Sequence, residues 1–406
     1  MSTNLPVKLL HPDTSKAITQ YIRSIYSNNH KTGIVYAKRL KNFEGFFSKK
    51  YNFTLDDYLV RHIFSIDVYE LLGDYTYYLT NEYISPDGFK LSNVTIKNTV
   101  NTVINFLLFH DADINPRKLK HKVRLPKVVR QNKEALTKED IVKILQTAVT
   151  PKLRLFVHLL AVTGCRASEA CAIRIQDIDW KNKKLNIRGE YTKTKVDRYV
   201  FLTDELLVQL REYIQHKYRK RVRYYGVGKP PVVIIPKQKN SDLIFEAYWY
   251  KTNDDSKEKE SMIHIYNNLH IKFKKTLDLM GIFYENDATK RRRKLTFHSL
   301  RRWTKSTIAD VSSSDYSEWW IGHSGSTYYR KSDKEKFEIF KKLEPYLVFQ
   351  DYKGLTERSN VIQDRVDSLE QENWKLKQMM TQVMEMIQEN PSLANVKPEV
   401  LTKKIL

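Results

Sequence analysis

Apolar residues recur every three or four positions along most of this 406-residue chain and alternate in only one compact region. A three-to-four period buries one stripe of a helix, and alternation buries one face of a strand. Ile18, Ile22 and Ile25, then Leu40, Phe43 and Phe47, then Ile96, Val100, Val103 and Leu107 follow the helical period. Strand character is confined to Leu185, Ile187, Tyr199 and Phe201, with a short further run at 232–235. The pattern therefore predicts a mostly α fold with a small antiparallel β-sheet, an α+β arrangement in the C-terminal half.

A chain of this length exceeds one compact core, so two domains and an appendage are expected. Residues 1–14 read as a flexible tail and 15–114 as a helical domain, with Ser92 an N-cap and SPDG at 85–88 a turn. The stretch 115–134 carries two prolines, many basic residues and, over 115–133, no acidic one. They read as a basic linker placed to lie along a polyanion. A second domain is expected over 135–352. It opens on Thr137 as N-cap and includes an apolar helix ending at Gly164, a short helix through CRASEACAI, and a hairpin with TKTKVDR at its turn. Residues 253–260 read as a polar loop ahead of a helix over 262–280.

Over 355–390 the periodicity changes to a heptad. Ile362, Leu369, Leu376 and Val383 form one series, and Val366, Asn373, Met380 and Ile387 the other. This is a coiled-coil seam, with Asn373 at an a position favouring a parallel dimer. Acidic residues outnumber basic ones here, seven to four over 356–390, so this segment is a poor binder of polyanions. Residues 391–406 form a tail. A single long helix packed on its own domain is the other reading.

The formal charge of +23 points first to a nucleic-acid partner, and otherwise to a generally basic protein. Cys165 and Cys171 have no Cys or His companions at metal-ligand spacing and read as core residues in a reducing compartment. No metal or cofactor is expected. With no signal-like N-terminus and no apolar run of membrane length, the expected location is intracellular, in the cytoplasm and associated with the nucleoid.

The chemistry-bearing residues concentrate in 296–330, TFHSLRRWTKSTIADVSSSDYSEWWIGHSGSTYYR, with Arg166 upstream. Transesterification at a phosphodiester needs an in-line nucleophile, cations for the non-bridging oxygens and a proton donor for the leaving oxygen. Arg166 and Arg301 suit the second task, since guanidinium binds two phosphate oxygens and stays charged. His298, three before Arg301 on one helix face, could bond the phosphate or take a proton, and His323 could donate to a non-bridging oxygen. Lys193 or Lys195 could protonate the leaving group. Tyr328 or Tyr329 could attack, given cationic surroundings that offset an ordinary phenol pKa near 10. Each also has an ordinary reading: a surface arginine paired with Glu169, a structural histidine, solvated turn lysines. Arg302 points away from the His298–Arg301 face.

Their order resembles that of the tyrosine recombinases, the phage integrase family, and is most similar to the archaeal integrases of mobile elements. The matching segments are TGCRASEACAIRIQDID, KTKVDRYVFL, HSLRR and IGHSGSTYYRK, and the resemblance spans roughly 90–350. It implies a helical core-binding domain and a mixed catalytic domain that together clamp duplex DNA. It implies Arg166 and Arg301 as phosphate clamps, His298 and His323 at the two histidine positions, and Glu169 as support for Arg166. Lys193, five before Arg198, matches the hairpin lysine, with Lys195 second. The tyrosine follows His323 by five or six residues, a short spacing similar to the archaeal branch, where the first of the pair is constant. That implies Tyr328, with Tyr329 second. The implied activity is site-specific cutting and rejoining of double-stranded DNA attachment sites through a 3′-phosphotyrosyl link. Four protomers would act on two duplexes, without cofactor or metal, to integrate or excise a mobile element. A type IB topoisomerase-like relaxing enzyme, or a non-catalytic DNA-binding protein on this scaffold, are the alternatives.

Overall fold

The computed structural model describes residues 14–27, 29–62, 66–128, 136–223, 230–247, 255–281, 295–323 and 329–349, with helical positions between 365 and 385. It divides into two compact units, 1–132 and 133–406.

The first unit is helical: α1 (Lys16–Tyr26), α2 (His30–Lys50), α3 (Leu55–Asp57), α4 (Val68–Tyr77), α5 (Asn93–Phe109) and α6 (Pro116–Lys122). Short polar side chains start these helices by accepting backbone N–H bonds: Ser15 for α1, Asn29 for α2, Thr54 for α3, Asp67 for α4 and Ser92 for α5. Ser15 also donates to Asp56 at 2.5 Å, which ties the start of α1 to α3. The core is aromatic, with Phe43, Phe47, Tyr58, Tyr75 and Phe106 fully buried. Phe43 meets Tyr75 edge-on at 4.9 Å, the geometry the ring quadrupoles favour.

The linker expected from 115 is corrected at its start. Asn115 accepts from the N–H groups of Arg117 and Lys118, Pro116 occupies the first turn, and α6 follows. Val123 is buried, and Leu119 and Leu125 pack against the helical core. Three apolar residues among so many cations are enough to dock the segment, and the charge pattern concealed them. The remainder of the expected linker, 129–134, lies outside the described residues.

The second unit runs α7 (Lys138–Thr147), α8 (Pro151–Thr163), α9 (Ala167–Cys171), β1 (Ile178–Asp179), β2 (Lys184–Ile187), β3 (Arg198–Phe201), α10 (Asp204–Lys217), β4 (Arg221–Arg223), β5 (Val232–Ile234), α11 (Asp255–Leu279), α12 (Phe297–Val311), α13 (Ser314–Ile321) and α14 (Asp333–Leu343). The expected cap at Thr137 is a full capping box with Asp140. The expected strands form an antiparallel sheet ordered β1-β2-β3, with Leu185 opposite Val200 and Ile187 opposite Arg198. A two-stranded β4-β5 ribbon is separate. The polar loop expected at 253–260 is corrected: α11 begins at Asp255. Lys and Glu are good helix formers, and a helix turn without apolar spacing carries no periodic signal.

Helix α8 is the axis of this unit, with every residue from Leu155 to Thr163 buried. Phe156 meets Phe245 and Phe297 edge-on at 5.0 and 5.2 Å. Thr304 of α12 donates to the Ala161 carbonyl at 2.8 Å. Trp320 of α13 stacks on Phe340 of α14 at 5.6 Å, and Phe340 stacks on Phe201 at 5.3 Å, which closes one side of the sheet. Cys165 and Cys171 are both buried, as expected of core residues.

Gly164 ends α8 in the left-handed conformation at φ +61, where a Cβ would stand 3.1 Å from Ile321 Cγ2 and 3.3 Å from Thr304 Cγ2. Gly164→Ala should therefore lower stability by about 1–3 kcal/mol, combining αL strain with crowding between α8, α12 and α13. A urea denaturation midpoint unchanged from wild type would contradict this.

Candidate active site

The site assembles where α8 and α13 end, over the N-terminal half of α12. Each of the two ending helices stops at a glycine in αL geometry, Gly164 and Gly322. The chain then turns sharply, and two residues after Gly164 stands Arg166, one after Gly322 stands His323. Arg301, buried in α12, joins the two turns. Its Nη1 donates to the Gly164 carbonyl at 2.6 Å and its Nη2 to the Ile321 carbonyl at 2.7 Å. Both acceptors lie at helix C-termini, whose partial negative charge favours a cation. Burial, followed by repulsion from Arg166, pushes the Arg301 pKa down to about 10, so the guanidinium remains charged at neutral pH.

Arg166 caps α9 and is held by Glu169. Its Nη1 donates to Oε1 at 2.7 Å, and its backbone N–H donates to Oε2 at 3.0 Å. Glu169 is buried and also accepts from Arg198 Nη2 at 2.6 Å. Burial alone would raise the Glu169 pKa. The two arginines outweigh it, Arg198 most strongly, and hold the carboxyl below its usual range. Three guanidinium groups thus surround one carboxylate. The guanidinium of Arg166, about a quarter exposed, is the one at the surface.

His323 Nδ1 lies 2.5 Å from Glu318 Oε2, and Glu318 also pairs with Lys305. Burial lowers the His323 pKa, Glu318 opposes that, and Arg301 adds to it. The ring is consequently neutral near pH 7. With the Nδ1 proton donated to Glu318, Nε2 of the neutral ring is an acceptor. Donation to a phosphate oxygen, expected from the sequence, requires the imidazolium.

The other expected residues fall as follows. His298 is exposed in the first turn of α12, one turn before the buried Arg301. Arg302 turns aside to Ser299, 3.1 Å away, as expected of a residue off that face. Lys193 is exposed on the loop between β2 and β3. Lys195 sits at φ +58 and donates Nζ to the Glu190 carbonyl at 3.0 Å, bracing that loop. Tyr329 stacks on Trp319 at 6.0 Å and meets Tyr316 edge-on at 5.8 Å. Burial, with Asp315 and Glu335 behind it, raises its pKa. Tyr328 lies outside the described residues, as does the RRRK run at 291–294.

Sequence reasoning missed Glu318 entirely and used Arg198 only as a spacing mark. Glu318, five before His323 across a Gly turn, could have been found from the helix-ending geometry, since the His323 N–H bonds the Glu318 carbonyl at 3.1 Å. No group of His, Cys, Asp and Glu suited to a metal occurs among the described residues. No described helix is long and apolar enough to cross a membrane.

Residues 134–314 match the sequence pattern of the phage integrase family. Over 128 residues the chain is 34% identical to the tyrosine recombinase XerA of Saccharolobus solfataricus, covering 32% of this chain and 41% of that one. Over 182 residues it is 29% identical to XerA of Pyrococcus horikoshii, covering 41% and 58%. The chain thus spans less than two thirds of the length of either relative. Among solved structures it is similar to a lambda integrase(75–356) dimer bound to a COC′ core site, with 16% identity, 78% of this chain and 97% of that chain covered, and a TM-score of 0.49. It is also similar to XerH bound to difH, with 17% identity, 80% and 83% covered, and a TM-score of 0.48. Over its second unit the chain is thus similar to the phage integrase family and to the tyrosine recombinases.

The electrostatics of His323 give a direct check. Removing the carboxylate in Glu318→Gln should move the His323 pKa further down, because the group opposing desolvation is lost. Titrating the ring by NMR in both proteins tests this, and a pKa that rises or stays put would contradict it.

Proposed function

We propose that this protein is a site-specific DNA recombinase that cuts and rejoins duplex DNA through a 3′-phosphotyrosyl intermediate. The observation that carries the reading is the Arg301 bridge. It fixes the turns bearing Arg166 and His323 around a common point, in an environment where three arginines face a single carboxylate. A phosphodiester supplies the anion that such a cluster lacks.

In the proposed step, Arg166 and Arg301 hold the non-bridging oxygens. Two of the five N–H groups of Arg301 serve the Gly164 and Ile321 carbonyls, and the remaining fork faces the substrate. His298 and His323 bond the same phosphate, with His323 protonated as the anion binds. Tyr328 Oη gives its proton to His298 and attacks phosphorus, and the bond to the 5′ oxygen breaks. Lys193 gives that oxygen a proton. A 5′-hydroxyl from a partner duplex then attacks the phosphotyrosyl link, forms the new phosphodiester and returns the phenol. Two observations support the choices within each pair of candidates. Both lysines are exposed, but the Lys195 ammonium is engaged by the Glu190 carbonyl of its own loop. Tyr329 packs on Trp319 with its pKa raised, the wrong direction for a nucleophile.

The helical unit over 15–114, extended by α6, is proposed as the core-binding half of a DNA clamp, and 135–352 as the catalytic half. For the coiled coil over 355–390, the described part is helical, and Leu369, Leu376 and Met380 of its seam are 44%, 56% and 66% exposed. Val366, Val383 and the outer seam positions lie outside the described residues. Apolar seam residues exposed in one chain support self-association over packing on their own domain. In this reading a coiled-coil dimer helps gather four protomers on two duplexes.

The first test is covalent capture from a nicked duplex library with a randomised core, denatured and probed for protein joined to 3′ ends. Wild type should give adducts without added metal, and Tyr328→Phe should give none. Adducts retained by Tyr328→Phe and lost by Tyr329→Phe would move the nucleophile by one residue, and none with wild type would refute the reading. Arg301→Lys should lower the cleavage rate at least a hundredfold, because one ammonium cannot replace a planar fork shared between two carbonyls and a phosphate. Deleting 356–406 should lower the oligomeric state in sedimentation, and an unchanged state would count against the coiled-coil dimer.

A further inference from the structure

Arg198 has no part in the step just described, yet its guanidinium is buried beside it. It heads β3, opposite Ile187, and its side chain is 7% exposed. Nη2 bonds Glu169 Oε2 at 2.6 Å, while Glu169 Oε1 bonds Arg166. One carboxylate therefore sets both guanidinium groups. Two further donors of Arg198, Nε and Nη1, are buried with no hydrogen-bond partner.

The other face of the Arg198 side chain lies against Gly322. A Cβ on that residue would stand 2.6 Å from Cδ, 2.8 Å from Nε and 3.1 Å from Cζ of Arg198. Gly322 is in αL geometry and directly precedes His323. The loop that ends at Arg198 is the one that carries Lys193, five residues earlier. Arg198 thus touches the support of one proposed phosphate ligand and the turn of another.

Stability alone accounts poorly for an arginine here. A buried ion pair with unsatisfied donors is often no more stable than an apolar side chain of similar volume. Such a side chain would leave Glu169 with Arg166 alone, and the Arg166 fork would be set by one contact on a mobile pair.

We propose that Arg198 is a positioning residue for DNA cleavage, aligning Arg166 through the shared Glu169 carboxylate and seating His323 through its packing on Gly322. The proposal rests on the strand-cleavage reading. It predicts a defect in charge stabilisation at the phosphate, not in protonation of the leaving group.

The test compares wild type, Arg198→Met and Arg198→Lys on a duplex recovered by the covalent capture above. Each is assayed with three scissile groups: the natural phosphodiester, a neutral methylphosphonate, and a 5′-bridging phosphorothiolate whose sulfur leaves without a proton. Arg198→Met should retain DNA affinity and lose about a hundredfold in cleavage rate on the natural group, the scale of a misplaced catalytic contact. Arg198→Lys, which keeps the charge, should recover part of that rate. On methylphosphonate the ratio of wild type to Arg198→Met should shrink to a few-fold, because the charge that Arg166 and Arg301 neutralise is gone. On phosphorothiolate the hundredfold gap should persist. If Arg198→Met does not fold, Arg198→Lys and Gly322→Ala, whose methyl displaces the guanidinium, carry the same comparison. Wild-type cleavage with an unaffected Arg198→Met, or a gap that closes on phosphorothiolate and persists on methylphosphonate, overturns the positioning role alone. Absence of any adduct with wild type overturns the strand-cleavage reading itself.

Discussion

The second unit depends on one buried guanidinium. Arg301 donates to the carbonyls of Gly164 and Ile321, residues 137 and 20 positions away in sequence. Without it, two helix ends would bury unsatisfied carbonyls, and nothing would set the turn before Arg166 against the turn before His323. The arrangement explains why both turns are glycine-ended. Only an αL residue lets the last carbonyls of α8 and α13 converge on one point, and both glycines also make close approaches, Gly164 to Ile321 and Thr304, Gly322 to Arg198. The neighbouring Thr304 bond to Ala161 holds α12 in the depth that brings Arg301 to this point.

This scaffold leaves an electrostatic imbalance. Arg166, Arg198 and Arg301 surround Glu169, and the pKa of Arg301 falls while that of Glu169 is held low. Both shifts have the same origin: cations crowded into a poorly solvated place with too few anions. His323 feels it as well, since Arg301 lowers its pKa and Glu318 only opposes the effect. An entering anion would offset the repulsion between Arg301 and Arg166 and favour the protonated His323. Under the proposed function, such a site is preorganised for a phosphate. The match of residues 134–314 to the phage integrase family is an independent line, and Arg166, Arg198 and Arg301 fall within it.

Much of the fold was legible because local chemistry and global packing agree. Thr137 with Asp140, Ser92, Gly164 and the alternation around Leu185 and Val200 each act over a few residues, and the structure keeps them all. What was not legible acts across distance or without periodicity. The docking of α6 rests on Leu119, Val123 and Leu125 amid cations, and the start of α11 has no apolar stripe. In the site, Arg166 with Glu169 was readable at three-residue spacing. The bond of Arg198 to Glu169, 29 residues apart, and the pairing of Glu318 with Lys305 were not, because only the assembled α12–α13 pair and sheet bring them together.

The doubled candidates, Lys193 with Lys195 and Tyr328 with Tyr329, show where sequence spacing alone stops discriminating and physics continues. Lys195 holds a left-handed backbone conformation and bonds the carbonyl of Glu190, so its ammonium is part of the loop's own structure. A proton donor must reach a substrate oxygen, which leaves Lys193 as the proposed donor on a loop its neighbour has braced. Tyr329 is stacked on Trp319, and burial with Asp315 and Glu335 nearby raises its pKa. A nucleophilic phenol needs the opposite shift, toward the phenolate, from cations. In each pair one member is anchored by contacts that oppose the chemistry.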